Sequence, residues 1–156
     1  MPRGPRSRGI ALPDRDMAVS YHIFPDKGLV YVRYSGFVRA DETLDAFARF
    51  MTDAEAGRCH RHLVDLQDVT GIALDHPGLL HMQARKADFL GTGGAETLMA
   101  YFATTHETIK LACMVQRSWD GLRGVVARIF DDEAQALSFL GVAGLNMARL
   151  RAVAPG

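Results

Sequence analysis

Three aspartates and a histidine, Asp65, Asp68, Asp75 and His76, sit within one short stretch of this sequence. Carboxylates beside an imidazole are the parts of general acid–base chemistry, so together they outline a small hydrolase or transferase. They would line one edge of a crevice if the strand before them belonged to an open parallel sheet, because ligands sit outside the carboxyl ends of such strands. The plainer reading is that strand-end aspartates serve loops and helix caps. His76 alone could be a pH-sensitive contact or a phosphohistidine; without a partner it is an exposed loop histidine.

Other constellations carry less. Cys59, His60 and His62 form C-H-x-H, a set of soft ligands. Adjacent strand positions point to opposite faces, Arg58 and Arg61 repel a cation, and no complementary motif lies elsewhere, so no metal is expected. His76 and His81 are five apart, off any one helix face. Cys113 with His106 as base would make a nucleophile, but two helical turns, about 10 Å, separate them. Thr92-Gly93-Gly94 leaves a helix and enters a strand, the reverse of a phosphate loop. Trp119 is either an interface anchor or a lid on the core. The motifs therefore give no catalytic set, metal or cofactor.

Composition fits one domain of 156 residues, 48% hydrophobic and 23% charged. Lys plus Arg and Asp plus Glu are 18 each, so no net field attracts nucleic acid. Neutrality mildly favours self-association, and a homodimer is one possible state. No apolar run reaches the length of a membrane span. The two cysteines, without a leader pattern ahead of them, are expected to be reduced thiols in the cytoplasm. Residues 1–17 are read as a flexible arm, with Arg3, Arg6, Arg8 and Arg15 and no acid before Asp14. Such an arm offers at most a weak contact to acidic lipid or nucleic acid. Met17 directly precedes the first strand-like segment.

From Val19 the pattern is regular. Val19, Tyr21 and Ile23 alternate with polar residues, Pro25-Asp26-Lys27-Gly28 turns, and LVYVRYSG to Gly36 returns as the second strand of an antiparallel hairpin. Asp41 is placed to cap a helix whose Leu44, Phe47, Ala48 and Met51 form a stripe. RHLVDLQ, 61–67, reads as a central strand. A helix then opens at Asp75 or His76, with Pro77 in its first turn, and stops at Gly91. LMAYFA, 98–103, is a buried strand, followed by a capping box of Thr104 and Glu107 and a helix to Asp120 with Ile109, Ala112, Cys113 and Gln116 inward. VVARIF, 125–130, is the last strand. Asp131 caps a final helix that buries Ala136, Leu137 and Leu140 and ends at Gly141. The order is β-β-α-β-α-β-α-β-α: an α/β fold with a mixed, mostly parallel five-stranded sheet and about four helices over 18–142, then a tail over 143–156.

That order, with YHIFPDKGLVYVRYSG, RHLVDLQDVT and the ending VVARIFDDEAQALSFLG, resembles the STAS domain of anti-sigma-factor antagonists. It is similar above all to the bacterial SpoIIAA-like group described together with the lipid-binding SEC14 fold. The resemblance implies a non-enzymatic regulatory domain that contacts a protein partner. It places that contact on the helix opened near His76 and its loop: Asp65, Asp68, Thr70, Asp75, His76, Gly78 and Leu79. In the antagonists a serine in an Asp-Ser-x-Gly-Leu pattern is phosphorylated. Here Asp75, Gly78 and Leu79 match and His76 replaces the serine, while Thr70, the nearby hydroxyl, matches a different position. The SEC14 side of the resemblance implies instead a small apolar or lipid-like ligand between sheet and helices.

Overall fold

The computed structural model describes residues 18–73, 76–90 and 96–153. The arm over 1–17, Asp75 and the Thr92-Gly93-Gly94 loop lie outside them. Strand β1 (Val19–Phe24) turns through a 3-10 segment, Pro25–Lys27, into β2 (Leu29–Arg39). Gly28 closes that turn at φ +60°, and an added Cβ there would stand 2.9 Å from the Arg58 carbonyl oxygen. Both facts require glycine. Next come α1 (Ala40–Met51), β3 (Arg61–Ala73), α2 (His76–Leu90), β4 (Thr97–Phe102), α3 (His106–Arg117), β5 (Val125–Phe130) and α4 (Glu133–Phe139). Residues 143–156, set apart from the sequence as a tail, contain a fifth helix, α5 (Met147–Val153).

The sheet runs β1-β2-β3-β4-β5, with β1 antiparallel to β2 and every other pair parallel. Each parallel step moves the chain one strand in the same direction. Right-handed crossovers therefore lay α1, α2 and α3 on one face. Helices α4 and α5, which follow the last strand, cover the other. Two cores result. Leu29, Tyr31, Leu63, Ala100 and Phe102 meet Leu137, Leu140, Met147 and Leu150 on the α4–α5 side. On the α1–α3 side Val64, Leu66, Met99 and Tyr101 meet Leu90, Ala112 and Trp119.

Several local expectations shift. Helix α1 follows directly from Arg39, with no side-chain cap, and Asp41 accepts from the Glu42 N–H and pairs with Arg39 at 3.6 Å. Its buried residues are Thr43, Ala46 and Phe50, whereas Ala48 and Met51 are exposed. The phase is set by Phe50, whose ring packs edge-on against Tyr21 and His62. The capping box lies one residue later than Thr104–Glu107: Thr105 and Thr108 exchange backbone and hydroxyl hydrogen bonds at 3.0 and 3.1 Å. Asp132, not Asp131, caps α4 by accepting from the Gln135 N–H.

Strand β3 is the largest departure, running six residues past Gln67. Its register against β2 slips between Arg33 and Ser35 and again between Gly36 and Phe37. These are β-bulges, which interrupt alternation and so hide the strand from a period-two pattern.

Candidate ligand-binding site

Between the sheet and the α1–α2 pair lies an apolar cavity of about 100 Å³. Strand β2 supplies Val30, Val32 and Tyr34 to its floor, and β3 supplies His62, Val64 and Leu66. Helix α1 contributes Ala46, Phe47 and Phe50 to the roof. From α2 come Leu79, Met82, Gln83, Lys86 and Leu90. Those α2 positions fall at i, i+3, i+4, i+7 and i+11, a single helical face. The stripe was open to a sequence reading, and its departure from hydrophobicity, Gln83 and Lys86, is what marks the site. Among the described residues no carboxylate lines the cavity.

His62 and Gln83 are 5% and 1% exposed. The His62 ring is held by the backbone of Cys59, while its Nε2 is buried without a partner. Burial lowers its pKa to about 4, with Lys86 and His60 adding to the effect, so the ring is neutral near pH 7. The bond to the Cys59 backbone favours the protonated ring, so that nitrogen donates to the carbonyl. The free Nε2 then carries a lone pair. Neither Gln83 amide atom has a partner at hydrogen-bond geometry, and the amide lies toward Tyr101, whose phenol pKa burial raises and the amide lowers in part. Its neighbour Tyr101 is occupied: the phenol accepts from Trp119 Nε1 at 2.8 Å and donates to Met99 Sδ at 3.0 Å. Lys86 is half-buried with Nζ 5.8 Å from the Phe47 ring centroid, and desolvation lowers its pKa to about 8.

The sequence-predicted residues distribute differently. Asp65 points to the opposite face of the sheet, 1% exposed. It accepts from Tyr31 Oη at 2.6 Å and from the Gln67 backbone at 3.1 Å, with Arg151 Nε at 3.9 Å. Burial and the Asp65 carboxylate together hold the Tyr31 phenol far above its ordinary range. Asp68 pairs with Arg33 at 2.9 Å and with Arg151. Both acids are mid-strand and tied to cations instead of lining a crevice edge. Thr70 is exposed and Gly78 half-buried. His76 is the first residue of α2. Leu79, 1% exposed, lines the cavity.

Cys59 is buried, its thiol donating to the Glu55 carbonyl at 3.6 Å and pushed up to about 11 by burial. The described residues contain no group of three His, Cys, Asp or Glu able to hold a metal ion. Trp119 is 4% exposed and hydrogen-bonded, so it is the lid, not the anchor. No described helix is long and apolar enough to cross a membrane.

No protein-family profile and no curated protein matches this chain. Among solved structures it is similar to an uncharacterized protein of the DUF3478 family with a SpoIIAA-like fold, from Shewanella loihica PV-4. The TM-score is 0.50 at 13% identity, over 79% of this chain and 92% of that one. The fold is therefore SpoIIAA-like, as the sequence resemblance implied.

Proposed function

We propose that this SpoIIAA-like domain works by binding, not by catalysis, and that what it binds is a small apolar molecule seated between the sheet and helices α1 and α2. The observation that supports this reading is the cavity itself. Close packing leaves few voids in a core of this size, and a lined space of about 100 Å³ forfeits dispersion contacts that a ligand restores. It matches a single ring or a short branched chain, in keeping with the SEC14 side of the resemblance. Occupancy would fix the spacing of α1 and α2, and so give a regulatory domain a surface that changes with its ligand.

Native mass spectrometry of gently extracted protein tests the reading. Added non-protein mass that disappears in Ala46→Trp, which fills the cavity, supports it. A clean apo mass under all extraction conditions counts against it.

A contact with a protein partner is a second reading, favoured by two exposed apolar side chains at the end of the sheet where α2 opens. Phe37 is 56% exposed and Leu80 42%. Leu80→Asp would release a co-purifying partner on this reading and leave the ligand in place.

A further inference from the structure

We infer that the ligand of this cavity carries a hydroxyl, held between His62 Nε2 and the Gln83 side-chain amide. This rests on the cavity being a binding site and adds the chemistry of its polar end. A cavity meant for a hydrocarbon needs no polar lining, and burying an amide and an imidazole nitrogen without partners destabilises a fold. Here both are buried and line the space. The imidazole's other nitrogen is committed to the Cys59 carbonyl, so Nε2 can only accept. It needs an O–H or N–H from the ligand. Neither Gln83 amide atom has a partner at hydrogen-bond geometry, the amide only leaning toward the already occupied Tyr101 phenol, so it supplies a donor to an oxygen that has just donated to His62. Lys86, one turn along from Gln83, lines the same cavity with its Nζ over the Phe47 ring.

The imidazole and the amide suit an alcohol or phenol. An ester or ether has no proton for Nε2. A carboxylate would face that lone pair with its own negative charge. A hydrocarbon would leave the imidazole nitrogen and the amide unpaired. Hydroxyl recognition by otherwise orphaned polar groups is a strong form of selectivity, because the analogue lacking it pays for every unpaired group.

Toluene and phenol, nearly equal in size, separate the possibilities, with methyl-resolved NMR titration of the whole chain as the readout. Water-to-hydrocarbon transfer alone favours toluene, because the phenol hydroxyl must be desolvated. We expect phenol to bind at least as tightly as toluene, with both shifting the methyls of Leu79 and Met82. In His62→Phe and separately in Gln83→Leu, the preference should swing toward toluene by about tenfold. Two variants on different elements guard against one that fails to fold, and the wild-type comparison needs neither. Toluene binding with phenol excluded, or a preference unmoved in both variants, overturns the hydroxyl inference and leaves the cavity reading standing. Binding of neither compound overturns both.

Discussion

Asp65 and Asp68, three residues apart on β3, project from the same side of the sheet, where Arg151 of α5 reaches both. In a regular strand residues i and i+3 point to opposite faces. The bulge opposite Arg33 and Ser35 inserts the extra residue that brings them together. The acids that looked like catalytic partners are thus one half of a four-charge cluster with Arg33 and Arg151, and they latch the C-terminal helix to the sheet.

Breaking that latch should be costly. Arg151→Met keeps the apolar stem and removes the cation, leaving Asp65 buried with only Tyr31 and Gln67 as side-chain partners. We expect a loss of about 2 kcal/mol, less than removing one partner of a fully buried pair costs, because Arg151 is partly solvated. Urea unfolding of the two proteins measures it; an unchanged midpoint would mean that α5 is not held through Arg151.

Much of the architecture was legible. Val19 to Phe24, the Pro25–Gly28 turn and Val125 to Phe130 follow from alternation and turn chemistry, and the structure agrees with them. What sequence could not show was β3 beyond Gln67, where two bulges scramble the period in Asp68-Val69-Thr70-Gly71. Nor could it show the joint burial of His62 and Gln83, which come from a strand and a helix and line one cavity only through the right-handed crossover between them. Leu79 was read as a surface contact because its place in the Asp75–Leu79 pattern was weighed before its place on the α2 stripe.

Acid should weaken the fold through His62. Its folded pKa, about 4, lies below the ordinary value of 6.5, so between these pH values the unfolded chain binds a proton that the folded chain refuses. The contribution is fully present above pH 6.5 and is lost as pH falls toward 4, about 3 kcal/mol in all. Stability curves at pH 7 and pH 4.5 for wild type and His62→Phe check this. The variant should lose distinctly less between them, and equal losses would place the acid sensitivity elsewhere.

Lys86 acts in the alkaline range. With its folded pKa near 8 against 10.5 unfolded, stability rises with pH between these values, because the unfolded chain holds the extra proton. Below pH 8 both states are charged and desolvation counts fully against the fold. Lys86→Met should therefore stabilise the protein at pH 7 by about 1 kcal/mol, a figure reduced for partial solvent screening. The advantage should vanish above about pH 10.5. A variant less stable than wild type at pH 7 would show that the cation over Phe47 outweighs its desolvation.

Gln83→Met should also stabilise the apo protein, by about 1 kcal/mol, because it removes a buried amide with no partner at hydrogen-bond geometry and fills the same volume. Thermal unfolding without ligand reads this directly. A drop in Tm would mean the amide is satisfied in the free protein.

The central claim is that the space between the sheet and helices α1 and α2 takes up a small apolar guest. Xenon tests it with no assumption about the natural ligand, since cavities lined mainly by apolar side chains bind it. Under a few atmospheres of xenon, methyl signals of Val64, Leu79 and Met82 should shift in a saturable way while those of Leu137 and Leu150, on the opposite face, stay fixed. Uniform, non-saturating shifts on both faces would contradict the account.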